Sequence, residues 1–141
     1  MMFHVTVFHN AHGRFIPFRG DHRLLSAFAF SRALPQDTVA EQLAEWTFCL
    51  FNTDPDTLVD DASTLDTASA SQLACRYRLQ RLRSPSVGDV VRVSTSTAVC
   101  WLACDGLGWS AIAPPTNVHT IAASRTSTTC DGDQPRNEPL P

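Results

Sequence analysis

The chain has 141 residues, a formal net charge of −3, 43% apolar and 18% charged residues. That length suits one domain with a real core, and the apolar share is too high for a wholly disordered chain. No apolar run approaches the roughly 20 residues a bilayer crossing needs, so no membrane role is expected. The start, MMFHVTVFHNAHGRF, lacks the basic residues, apolar block and cleavage site of a secretory signal, which points to the cytoplasm.

Residues 3–8 alternate, with Phe3, Val5 and Val7 on one face, and predict a half-buried strand. Asn10 and Gly13 mark a turn. Phe15, Ile16 and Phe18 follow, and Pro17 among them demotes the segment to a short edge strand. Residues 24–30, LLSAFAF, predict a third strand.

The clearest helix covers residues 38–51. Thr38 and Glu41 fit a capping box, and Val39, Leu43, Trp46 and Leu50 recur as a core-facing stripe that Phe51 widens. Asn52 is its natural stop. Residues 53–72 are acidic and poor in large apolar side chains, and read as a loop, ordered or partly mobile, with room for a helical turn near its end. Asp54 and Asp56 begin like a calcium loop, but Val59 stands at its glycine position and Leu65 at its closing glutamate.

From residue 73 the pattern turns to strand again, with Tyr77 among Arg76, Arg78, Arg81 and Arg83. On a strand, Arg76 and Arg78 share one face and Tyr77 takes the other. Ser84 to Asp89 makes a turn into Val90, Val91 and Val93; residues 98–103 and 109–113 complete a three-strand meander around Asp105–Gly108. Beyond Pro114-Pro115 the composition is that of a disordered tail, save a short strand candidate at Val118–Ala122. The expected architecture is α+β: an antiparallel sheet, flat, curved or partly barrelled, under one main amphipathic helix. One domain spans residues 1–115, and residues 116–141 form its tail.

Charge is segregated. Residues 1–35 carry +3, residues 36–72 carry −8 and residues 73–113 carry +3. All the basic residues are arginine, which excludes Schiff-base, P-loop and Ser-Lys chemistry. Cys49, Cys75, Cys100, Cys104 and Cys130 are odd in number and irregular in spacing, so buried or half-buried free thiols are expected rather than a disulfide framework or zinc ribbon. His4, His9, His12 and His22 crowd the N-terminus without a metal-ligand spacing. No nucleophile elbow or phosphate-loop motif occurs, and no metal or cofactor is expected.

Several segments together resemble a group of small uncharacterised proteins of actinobacterial genomes and their mobile elements. They are His9-Asn-Ala-His-Gly13, Leu50-Phe-Asn52, Tyr77-Arg78, Arg83-Ser-Pro-Ser-Val-Gly-Asp-Val-Val91 and Gly108-Trp109. The stretch from Tyr77 is also similar to the YodL-like accessory domain of plasmid and conjugation-related proteins, with Pro85 where a leucine is expected. The resemblance implies a single cytoplasmic domain in a mobile-element setting and assigns no catalytic residue. The leading expectation is an accessory module that binds a protein partner through Arg76, Arg78, Arg81, Arg83, Trp101 and Trp109. Two alternatives stay open: a nucleic-acid-associated regulator using the same arginines, and an enzyme built on Cys49 or a histidine.

Overall fold

The computed structural model describes residues 1–54 and 65–120, with residues 65–68 described by their backbone alone. The elements run β1 (Met2–Asn10), β2 (Leu24–Ala33), α1 (Ala40–Asn52), α2 (Leu65–Leu79), β3 (Val90–Ser94), β4 (Val99–Asp105), β5 (Gly108–Ile112) and β6 (Val118–Thr120). Among the described residues the strands form one open sheet in the order β5-β4-β3-β1-β2-β6. All neighbours are antiparallel except β2 and β6. The fold is therefore α+β, with an open sheet and not a barrel.

Alternation along the strands sorts the side chains between two faces. Phe3, Val5, Val7, Phe28, Phe30, Val91, Val93 and Leu102 point to the helices, where they meet Leu43, Phe48, Phe51 and Tyr77. Phe51 lies flat on Tyr77, centroids 4.2 Å apart, and Phe28 meets both edge-on. A bulge at Ala27 shifts the β1–β2 register, so Val7 pairs with Phe28 but Phe8 pairs with Ser26. Phe8 then joins Leu24, Val90 and Ala103 in a smaller cluster on the opposite face, capped by Phe18, Trp101, Ile112 and Val118.

Several expectations change. Residues 15–18 are not an edge strand but part of a loop linking β1 to β2, in which Phe15 takes a left-handed φ of 61°. Thr38 does not cap α1: Val39 holds the N-cap position, and the Thr38 hydroxyl donates to the Pro35 carbonyl at 2.7 Å. Val39 is accordingly 49% exposed, and the buried face of α1 is Leu43, Ala44, Thr47, Phe48, Leu50 and Phe51. Trp46 is half-buried beneath the Arg32 guanidinium.

The stretch around Tyr77 is helix α2 rather than strand, and it begins at Leu65, within the residues expected as loop; residues 55–64 lie outside the described residues. Alanine, leucine, glutamine and arginine are good helix formers, and Leu73, Ala74 and Tyr77 bury one face at helical spacing. Two helices thus cover the sheet where one was expected. The short strand expected at Val118–Ala122 is present as β6, Val118–Thr120, and joins the sheet past the Pro114-Pro115 boundary; the tail beyond Thr120 lies outside the described residues. Cys49 and Cys100 are exposed, Cys75 and Cys104 half-buried, and Cys130 lies outside the described residues.

Candidate partner-binding loop and its polar clamp

The register that pairs Phe8 with Val90 brings the end of β1 beside the turn that enters β3. Asp89, the last residue of that turn, has no solvent exposure. A buried carboxylate is tolerated only when its oxygens are saturated by donors. Here Arg83 supplies two of them, Nη1 to Oδ2 and Nη2 to Oδ1, both at 2.7 Å. The backbone amides of Asn10 and Ser86 supply two more at 2.9 Å. Strand β1 and the residue-83–89 turn are tied together at this one carboxylate.

Tyr77 closes the network. Its hydroxyl donates to the Arg83 carbonyl at 2.5 Å, so it can only accept from His9, whose Nε2 lies 2.9 Å away. That pattern assigns the proton of neutral His9 to Nε2. Burial pushes the His9 pKa down to about 4; the Asp89 charge opposes the shift and the Arg83 and Arg14 charges add to it. Burial likewise raises Tyr77, which stays a phenol.

Asn10 passes the order outward. Its Oδ1 accepts the His12 amide at 2.9 Å, and its Nδ2 donates to Nδ1 of His22 at 3.0 Å. The same His22 nitrogen receives the Arg19 amide, and the His22 amide returns to the Arg19 carbonyl. His12 stacks on His22 at 4.5 Å, and Phe18 meets His22 edge-on. The Ala11 amide donates to the Arg23 carbonyl, closing the loop's base. Gly88, at φ 92°, lies so near that a Cβ there would sit 1.8 Å from the Ile16 carbonyl oxygen. The loop at residues 11–23 is therefore clamped from below.

What the clamp displays is unusual for a folded surface. Phe15 is 69% exposed and Ile16 is exposed beside it, with Arg14, Arg19 and Arg23 exposed around them and Asp21 the single acid. The Arg14 guanidinium lies 5.7 Å from the Phe15 ring centroid. A left-handed aromatic costs on the order of 1–3 kcal/mol, a cost that persists only where the surroundings impose it. An exposed ring returns little of that to folding.

The residues singled out in the sequence fall elsewhere. Arg76 extends over the Phe28 ring, Arg78 donates to the Thr53 carbonyl at 3.2 Å, and Arg81 is exposed just past α2. Arg83 belongs to the clamp. Two positions apart on a helix is about 200°, so Arg76 and Arg78 leave α2 in opposed directions. Trp101 and Trp109 stand on opposite faces of the sheet, because Trp109 pairs with Cys104 while Trp101 shares a face with Ala103. Trp101 packs on Phe8; Trp109 packs on Phe48 and donates to Glu45 Oε2 at 2.8 Å.

His9, His12 and His22 do come together with Asn10, but they bond to different neighbours and do not converge on a point. Among the described residues no three His, Cys, Asp or Glu side chains are placed to hold a metal ion. Cys49 has Glu45 beside its thiol, not a histidine. The loop residues were missed because Phe15, Ile16 and Phe18 imitate a short strand; the signals that mark a loop are Gly13, Pro17 and Gly20. No helix among the described residues is long and apolar enough to cross a membrane. Compared with protein-family models, curated proteins and solved structures, the chain matches none.

Proposed function

We propose that this chain is a protein-binding accessory module that presents the Phe15–Ile16 tip to an apolar cleft in another protein. Arg14, Arg19 and Arg23 meet an acidic rim around that cleft and steer the approach. The observation that carries this reading is the strained, exposed Phe15 on a loop whose base is fixed by the pairing of half-buried Arg83 with the fully buried Asp89. A rigid anchor loses little conformational freedom on binding, which favours affinity. The four described cysteines are free, in keeping with a reducing, cytoplasmic setting. A mobile-element context rests on the resemblance of the His9–Gly13 and Arg83–Val91 segments, all of which meet in the clamp.

The arginines of residues 76–83 give less support to a nucleic-acid surface, since Arg83 is spent on Asp89 and the others diverge. The deciding experiment places a photo-crosslinking phenylalanine analogue at Phe15, and at Thr97 as a control, in cells that carry the natural partner. Position 15 is expected to trap one protein, and Phe15→Ser/Ile16→Ser is expected to abolish its recovery without loss of fold. Equal yields from positions 15 and 97, or undiminished recovery with the double variant, overturn the proposal. Capture of vesicles or nucleic acid in place of a protein does so as well.

A further inference from the structure

The far edge of the sheet carries a second surface, and its own sequence specifies the occupant. Cys104 directs its amide to the Asp89 carbonyl and its carbonyl to the Gly88 amide, both on the β3 side. By alternation, Ala103 and Asp105 bond toward β5, and Trp109 and Ala111 turn their amides and carbonyls outward from the edge. No proline, bulge or charged side chain interrupts Gly108–Ile112, the usual means of protecting an edge.

We infer that β5 pairs with β5 of a second copy across a two-fold axis at Ser110, giving one continuous antiparallel sheet. In that register Trp109 faces Ala111 of the second copy, and Gly108 faces its Ile112, so each large side chain meets a small one. Trp109 and Ala111 exchange backbone hydrogen bonds on both sides of the axis. The contact is isologous and closes on itself.

The same register seats a knob in a hole. Leu107, at the hairpin tip, is fully exposed at 102%. Pairing Gly108 with Ile112 carries Leu107 opposite Ala113 of the second copy. There a cleft of about 380 Å³ opens, lined in part by Val39, Val99, Trp101, Ile112 and Pro114. Val39 and Val99, which line this cleft, are among the exposed apolar residues of the described structure. Charge also favours a like copy here. Strand β5 itself, Gly108–Ile112, carries no charged side chain to repel its own image.

Sedimentation of the whole chain over a concentration series tests this, alongside three variants at exposed positions. The wild type is expected to dimerise reversibly, and Leu107→Asp to weaken the dimer by at least about tenfold. Ala111 faces Trp109 and its bonded Glu45 across the axis. Ala111→Lys is therefore expected to tighten the dimer and Ala111→Glu to loosen it, a reversal of sign that a general loss of fold cannot produce. Hydrogen exchange at the Trp109 and Ala111 amides is expected to slow as concentration rises. A chain that stays monomeric throughout overturns the inference. So does a dimer indifferent to Leu107→Asp, or one that Ala111→Lys and Ala111→Glu shift in the same direction.

Discussion

Two buried regions meet at Tyr77 and are built on opposite principles. Its ring belongs to a dry aromatic stack with Phe51 and Phe28. Its hydroxyl belongs to the polar clamp of His9, Arg83, Asp89 and Asn10. The stack stabilises through area removed from water and tolerates any side chain of similar volume. The clamp has little net stability to give, because desolvating its charges offsets their attraction. What it fixes is position, and the position it fixes is that of the loop at residues 11–23.

The largest test of that contrast removes one member from each region. Phe51→Ala should cost about 3–5 kcal/mol through lost contacts and a cavity. Asp89→Ala should cost a similar amount, about 3–5 kcal/mol, by stranding Arg83 and two backbone amides. Equal losses in urea denaturation would then be separated by hydrogen exchange. The amides of His12, Arg19 and His22 should lose protection in the Asp89 variant and keep it in the Phe51 variant. If both variants release the loop alike, the clamp is only another part of the core.

A smaller effect follows from His9. Its pKa in the fold is pushed from the usual 6.5 to about 4 by burial, so the folded state takes up its proton later than the unfolded chain. Stability from this group is therefore complete above about pH 6.5, declines as pH falls between 6.5 and 4, and levels off below. The loss amounts to about 2 kcal/mol once the remaining solvent contact is allowed for. His9→Gln keeps a donor for Tyr77 but cannot take up the proton. Urea denaturation from pH 7 to 4 should show a shallower slope for the variant, and parallel curves would refute the assignment.

The same contrast explains what could be read from the sequence. Strands were legible because period-two alternation is local: Phe3, Val5 and Val7 predict β1 without knowledge of its neighbours. The meander of β3 to β5 was legible for the same reason, its hairpin turn being written in Asp105–Gly108. Helix α2 was hidden because its buried face is mostly small, Ala70 and Ala74 beside Leu73, and one tyrosine among arginines imitates a strand. The clamp was hidden for a different reason. Asn10 and Asp89 lie 79 residues apart, and only the β1–β3 register makes them neighbours. A carboxylate that precedes a valine strand looks like a turn residue until its partners are placed around it.

The smallest effect is the most specific to display. Phe15 holds a left-handed backbone for which an aromatic side chain is poorly suited and glycine well suited. If the ring served folding, replacing it with glycine would destabilise the chain by exposing what it covers. If it serves an external contact, Phe15→Gly relieves strain and loses almost nothing in return. The added freedom of glycine in the unfolded chain works against that gain. The expected result is a stability unchanged or raised by about 0.5 kcal/mol, read by thermal and urea denaturation, together with loss of the partner trapped from the wild-type tip. A drop of more than about 1 kcal/mol would place Phe15 in the fold's own packing and leave the loop without its anchor.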